Sequence, residues 1–166
     1  MQYQIGNGYD VHRFAVTEEA GAAIMIGGVA IASKRRLLAH SDGDVLVHAL
    51  CDALLGALAL GDIGHHFPDS DPQYRGISSL LLLQRVQKLV HDKGWAVTNI
   101  DLTLIAQEPR FAPHVTPIRT SLANVLATDM DRINVKATTT EGLGFAGRKE
   151  GIACQAVVLL QRPEPA

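Results

Sequence analysis

Two short stretches bring imidazole and carboxylate together in patterns that suit a metal ion. The first is Asp10-Val11-His12. Residues i and i+2 of a strand point to the same side, so Asp10 and His12 can reach one ion together. The second lies within LLAHSDGDVLVHALCDALLGALALGD, residues 37–62, where Asp44, His48 and Asp52 recur at i, i+4 and i+8. That spacing sets them on one stripe of a helix. Such a stripe is ordinarily a solvated face. Paired with the strand, it reads differently, because His48 can complete a set of one carboxylate and two imidazoles. Three protein ligands and an open position describe catalytic zinc, whereas structural zinc closes its site with four.

The elements that must position these groups follow from periodicity. Ser41-Asp42-Gly43-Asp44 matches a capping box, which predicts a helix entered at Ser41. Val45, Leu46, Ala49, Leu50, Ala53, Leu54, Ala57 and Leu58 mark its buried side, and Gly61 is expected to end it. Tyr3 to Phe14 reads as a strand in which Gly6 and Gly8 allow close backbone approach. Gly27-Gly28, between two apolar runs, predicts a hairpin turn. Lys34-Arg35-Arg36 reads as solvated surface, and residues 62–72 as a loop dense in carboxylate and imidazole. His65 and His66 belong to that loop, and nothing in their spacing calls for them as metal ligands.

Further on, Ser78 is placed as the cap of a helix running to Lys93, with Leu82, Val86, Leu89 and Val90 inward and Gly94 as its stop. Residues 95–106 and 132–138 alternate as half-buried strands. Between them, Thr116-Pro117 predicts a helix start with proline at its first position. Residues 139–148 read as a loop. Ile152 to Leu160 is nearly all apolar, which predicts burial on both faces.

At 166 residues the chain is long enough for one real core. Its 47% hydrophobic and 19% charged residues exclude a disordered chain. A net charge of -2 gives no electrostatic reason to expect nucleic acid or an anionic membrane as partner. Cys51 and Cys154 read as buried thiols of a reducing compartment. With no leader and no run of transmembrane length, the expectation is a soluble, cytoplasmic protein. The fold class is α+β: a two-layer sandwich with a mixed four-stranded sheet, helices on one face and a small hairpin. Residues 1–161 form one domain and 162–166 a frayed tail. The second sheet face, part polar and part apolar, is best explained by burial against other copies of the chain.

Taken in order, several motifs are far more specific together than alone. They are Gly8-Tyr9-Asp10-Val11-His12, His40-Ser41-Asp42-Gly43-Asp44, Ala59-Leu60-Gly61-Asp62-Ile63-Gly64, Phe67-Pro68-Asp69 and the run from Asn134 to Glu141, NVKATTTE. From about residue 4 to residue 161 the chain resembles the 2-C-methyl-D-erythritol 2,4-cyclodiphosphate synthase family of the non-mevalonate isoprenoid pathway. The resemblance implies a homotrimer with active sites between neighbouring subunits. It implies a cytidine-diphosphate-linked substrate, 4-diphosphocytidyl-2-C-methyl-D-erythritol 2-phosphate, whose 2-phosphate attacks the β-phosphorus and expels CMP.

By the same resemblance, Asp10, His12 and His48 hold one zinc per subunit. Glu141 holds magnesium or manganese on the substrate diphosphate, and His40 and Thr139 steady the transition state. Asp62, Gly64, Phe67, Pro68, Asp69, Ser70 and Asp71 would bind the methylerythritol end, and Ser41 and Ile63 would also contact the substrate. Ala106, Gln107, Glu108, Pro109, Arg110, Phe111 and Ala112, with Thr138, Thr139 and Thr140, would hold the cytidine diphosphate. Phe145 and Arg148 match positions lining an axial cavity and the phosphate region, and an isoprenoid diphosphate is the implied occupant of that cavity. Arg110 and Tyr9 depart from the family's frequent lysine and phenylalanine, and Lys149 from a small residue. Two other classes stay open: a metal-dependent phosphoesterase that uses water, and a trimeric binding module around a structural metal.

Overall fold

The architecture is set by how closely the first strand meets the central helix. The computed structural model describes residues 1–68 and 70–163. In it, β1 (Gln2–Arg13) lies directly against α1 (Val45–Ala57). A Cβ added at Gly6 would stand 1.8 Å from the Ala53 carbonyl oxygen, and one at Gly8 would stand 1.9 Å from that of Ala49. Both glycines are therefore required by contact between main chains. A Gly8→Ala protein is expected to lose roughly 3 kcal/mol or more, the upper range for forced overpacking. A urea midpoint unchanged from wild type would show that α1 can move away freely.

Four strands form one sheet in the order β1-β6-β4-β5, where β4 is Ala96–Ile105, β5 Ile133–Thr138 and β6 Gly151–Arg162. β6 runs antiparallel to both β1 and β4, while β4 and β5 are parallel, so the sheet is mixed. The crossover between β4 and β5 contains α4 (Val115–Leu126), as parallel strands require. α3 (Ser79–Asp92) packs against α1 and α4. A separate hairpin, β2 (Ala23–Ile26) and β3 (Val29–Ala32), turns on Gly27 and Gly28 with φ of 60 and 76. Positive φ at both central residues is the primed turn that two-residue hairpins favour. The α+β class, the mixed four-stranded sheet and the hairpin are as the sequence predicts.

The apolar residues of α1 are buried nearly all round, so its polar stripe is not a solvated face. Asp44 is 0% and His48 6% exposed. Asp44 is also the helix N-cap, accepting from Val47 N–H at 3.1 Å, which corrects the expected box beginning at Ser41. Its carboxylate accepts from Gly27 N–H (2.9 Å) and Gly28 N–H (2.7 Å) as well. One buried carboxylate thus fastens the hairpin to the start of α1. The helix ends at Ala57 rather than at Gly61, because Ala59 already takes a left-handed φ of 54.

Other boundaries shift for equally local reasons. The Ser78 side chain makes no cap hydrogen bond; Asp42 instead accepts from Ser79 N–H at 2.9 Å. α4 is entered through a 3-10 turn at Ala112–His114, so Pro117 falls within its first turn rather than at its first position. A missing N–H is harmless there. The expected loop 62–72 contains the short α2 (Ile63–His66), capped by Asp62, and a 3-10 turn at Pro72–Tyr74, capped by Asp71. The expected loop 139–148 contains α5 (Gly144–Gly147). Of the basic cluster, Arg36 pairs with Glu19 at the surface, while Arg35 lies over the Phe14 ring. Arg162, the last residue of β6, stacks over Trp95 and donates to Gln2, so the ordered strand reaches one residue into the expected tail.

The two sheet faces differ sharply. Gly6, Gly8, Asp10 and His12 share the helix-covered face by strand periodicity. On the other face of β1 and β6, Tyr3, Ile5, Tyr9, Val11 and Val157 are exposed at 58, 72, 52, 45 and 42%. Burial on both faces of β6 therefore holds from Gly151 to Cys154 but lapses at Gln155 and Val157 in the isolated chain. On β4 and β5 that open face is polar, with Asp101 bonded to Asn134 and Lys136.

Candidate metal centre and substrate cavity

Three donor atoms converge where β1 leaves the cover of α1. Asp10 Oδ2 lies 3.0 Å from His48 Nδ1 and 3.2 Å from His12 Nε2, and the two imidazole nitrogens are 3.0 Å apart. A tetrahedral ion with donors at about 2.0–2.1 Å needs donor–donor separations of about 3.3 Å. The observed triangle is within a few tenths of an ångström of that, so these residues fit a metal ion. They are the metal-capable cluster found among the described residues, and His65 and His66 are not part of it.

Electrostatics favour the same ion. Burial pushes the Asp10 carboxyl up, but hydrogen bonds and charge from His12 and His48 outweigh it and hold the group well below the usual carboxylate range. Burial opposes charge on His48, yet the Asp10 hydrogen bond and the charges of Asp10, Asp44 and Asp42 raise it overall. An acidic enclosure that attracts a proton to His48 also attracts a cation, and the two compete for Nδ1. Asp52, one turn further along α1, is raised by burial and by Asp62 and Asp10, against the N–H of Ile63 that it accepts at 2.8 Å.

The far side of His48 is held as well. Its Nε2 lies 2.8 Å from Ser79 Oγ and 3.2 Å from Ser41 Oγ. Ser41 Oγ accepts from Gly43 N–H at 3.2 Å, and Ser79 Oγ bonds to Asp42. Sequence reading marks Ser41 through the resemblance but passes over Ser79, whose partner Asp42 lies in another element. No local pattern signals that contact.

A cavity of about 300 Å³ opens on the triad. Of the residues singled out from the sequence, it gathers Asp10, His12, His40, Ser41, His48, Ile63, Gly64 and Phe67. Leu38, Ala39, Tyr74, Ile77 and Leu82 also line it; no motif marks them as site residues, and from the sequence Leu82 reads only as core. Phe67 and Tyr74 meet edge to face with centroids 5.5 Å apart, forming one aromatic wall. Ser70 lines a neighbouring pocket with His40, Pro72, Tyr74 and Arg75. Asp62 and Asp71 cap α2 and the following turn, so their carboxylates also hold the rim in shape. Pro68 is exposed beside this rim, and Asp69 lies outside the described residues.

The remaining singled-out residues gather elsewhere. β1 and β5 are opposite edges of the sheet, three strand spacings apart, or roughly 14 Å. Thr138, Thr139, Thr140 and Glu141 follow β5, and Thr139 Oγ1 donates to Glu141 Oε1 at 3.1 Å. Gln107, with its amide oxygen turned toward them, accepts from Thr140 and Gly142 N–H at 3.3 and 3.1 Å. The segment Ala106 to Ala112 therefore sits with residues 138–142, as one subsite would require. Within it, Phe111 and Ala106 are buried, Glu108 is held by Lys149 at 2.9 Å, and Pro109 and Arg110 lie nearer the surface. Phe145 is half-buried on α5, while exposed Arg148 pairs with Glu150. The residues singled out from the sequence thus form two groups, toward opposite edges of the sheet.

Comparison with known proteins agrees with the fold. The YgbB family profile matches residues 3–161. A Pseudomonas fluorescens protein named 2-C-methyl-D-erythritol 2,4-cyclodiphosphate synthase is 59% identical over 160 residues, covering 96% of this chain and 99% of its own. Among solved structures, the bifunctional IspDF of Campylobacter jejuni superposes with a TM-score of 0.91 at 42% identity, covering 98% of this chain. The chain spans 43% of that protein. The IspF–CDP complex of Plasmodium falciparum superposes with a TM-score of 0.84 at 35% identity, covering 98% of this chain and 97% of that one.

Proposed function

The chain belongs to the YgbB family, and from that premise we propose that it is a 2-C-methyl-D-erythritol 2,4-cyclodiphosphate synthase. It takes 4-diphosphocytidyl-2-C-methyl-D-erythritol 2-phosphate. An oxygen of the 2-phosphate forms a bond to the β-phosphorus, and the bond from that phosphorus to the bridging oxygen breaks. The bridging oxygen leaves with CMP, and the ring closes without water. The observation that carries this reading is the convergence of Asp10, His12 and His48 on a cavity beside His40.

Bringing two phosphates together calls for cations and positioning more than for a base. The triad would hold one zinc, which when bound supplies Lewis acidity and a template for phosphate oxygens. Glu141, an exposed carboxylate steadied by Thr139, would hold a magnesium or manganese ion, which would supply positive charge at the diphosphate. His40 at the cavity wall and the Thr139 hydroxyl are the groups proposed to stabilise the transition state. Ser41, Ile63, Gly64 and Phe67, with the capped rim from Asp62 to Asp71, would fix the methylerythritol end. Residues 106–112 and 138–140 would hold the cytidine diphosphate.

For one substrate to touch both half-sites, two copies must meet. The apolar patch of Tyr3, Ile5, Tyr9, Val11 and Val157 is the kind of surface that an interface covers. We therefore take the working assembly to be a homotrimer, with Phe145 and Arg148 toward an axial cavity suited to an isoprenoid diphosphate. No helix among the described residues is long and apolar enough to cross a membrane. The buried free thiols Cys51 and Cys154 favour the cytoplasm.

The decisive experiment is product analysis in oxygen-18 water. Cyclic diphosphate and CMP should form without label. Label in the phosphate products, or release of inorganic phosphate, would identify the water-using phosphoesterase instead.

A further inference from the structure

The geometry points to Asp42 and Ser79 as positioning residues that fix the tautomer of His48, so that its Nδ1 lone pair faces the metal point. The argument runs through proton counting. Asp42 stands with one carboxylate oxygen on Ser79 N–H at 2.9 Å and the other on the Ser79 hydroxyl. An ionised carboxylate only accepts, so the single hydroxyl proton of Ser79 must go to Asp42. Toward His48 Nε2, 2.8 Å away, Ser79 Oγ can then only accept. Nε2 must therefore carry hydrogen, so the neutral ring keeps its lone pair at Nδ1, whereas in the imidazolium form Nδ1–H donates to Asp10.

Nδ1 is the atom 3.0 Å from both Asp10 Oδ2 and His12 Nε2. The Ser41 hydroxyl lies 3.2 Å from the same Nε2 and receives Gly43 N–H, but it keeps its own proton and so does not decide the tautomer. Ser79 is fully buried and His48 nearly so, which keeps water from substituting for either partner. Outer partners of metal-ligating histidines generally act in this way, by fixing ring orientation and tautomer. Asp42 also joins the start of α3 to the turn before α1. Two of the three relay residues, His48 and Ser79, therefore stand on helices, and Asp42 bonds to the first residue of α3.

The inference rests on the metal reading of Asp10, His12 and His48, and the experiment separates the two. Metal-free protein is titrated with zinc against a chromogenic chelator for wild type, Ser79→Ala and Asp42→Asn. Ser79→Ala keeps the backbone bond to Asp42 and leaves Ser41 in place, so about a 10-fold loss of affinity is expected. Asp42→Asn should lose more, toward about 100-fold. With the amide oxygen kept on Ser79 N–H, the amide NH₂ faces the Ser79 hydroxyl. That hydroxyl must then donate toward His48 Nε2, which forces the proton onto Nδ1.

A purely structural role predicts the opposite order, because Ser79→Ala removes an atom and Asp42→Asn does not. Nitrogen-15 NMR of the metal-free proteins, above the histidine titration range, reads the tautomer directly. Wild type should show Nε2–H at His48, and Asp42→Asn should show Nδ1–H. If wild type takes up no zinc, the metal reading fails. If wild type binds zinc while both variants stay within about threefold of it, the relay is overturned. Should either variant fail to fold, the wild-type spectrum still decides, since Nδ1–H at His48 would overturn the inference alone.

Discussion

A His48→Ala protein is expected to fold, to lose its zinc, and to form cyclic diphosphate more than about 100-fold more slowly than wild type. The bound of 100-fold is what outer partners of a metal can cost, and removal of a ligand should exceed it. His48 supplies one of three atoms that meet within 3.2 Å, and it is the one that comes from a separate element. Without it, Asp10 and His12 remain as a strand pair with no third donor. The fold should survive because the core around α1 is aliphatic, with Leu46, Leu50, Leu54 and Leu55 fully buried. Losing part of a buried imidazole leaves a cavity, for which about 1–3 kcal/mol is a reasonable cost. Elemental analysis of the purified variant checks the metal, and a denaturation curve checks the fold. Full zinc occupancy in the variant would remove His48 from the ligand set.

The second large effect is a recovery rather than a loss. His48→Ala and Thr139→Ala are each expected to be nearly inactive as pure assemblies. Unfolded together and reassembled as an equal mixture, they should regain activity. The two residues stand with opposite edges of the sheet, so in the proposed trimer one chain's metal half would work with another chain's Thr139 half. With random assortment around a closed ring, about a quarter of interfaces combine two intact halves, which sets the ceiling. The control is the same mixture without subunit exchange. If mass spectrometry confirms exchange and activity stays at the control level, each site lies within a single chain.

Wherever one residue's local chemistry decides the structure, the sequence is legible. Gly27-Gly28 makes its hairpin turn, Gly94 follows α3 with a φ of 76, and Gly6 and Gly8 mark the close approach to α1. Asp10, His12 and His48 could be read because two regular periodicities, of strand and helix, each aim side chains in a known direction. The errors fall where a group is satisfied from a distance. Asp44 and Asp42 both sit in the stretch read as one capping box. The structure divides their work, Asp44 holding the hairpin and α1, Asp42 holding α3. A pattern of local spacing has no way to register a partner 37 residues away. For the same reason, the half-site of Thr139, Glu141 and residues 106–112 could be found only through resemblance. Its residues become a group when β4 and β5 align side by side.

The strand pairing has a further consequence, for the order in which the molecule can be made. β1 carries Asp10 and His12, and among the described residues its one neighbour in the sheet is β6, paired with it from Gln2–Arg162 to Arg13–Gly151. During synthesis β1 therefore emerges first and waits, one side covered by α1 at most, until β6 leaves the ribosome. Contacts this distant in sequence form late because the loop between them must first be closed. Until then Asp10 and His12 stand on a strand without its sheet partner. A chain truncated before β6 is expected to bind zinc weakly, because the strand that carries Asp10 and His12 then has no sheet partner and an unprotected edge.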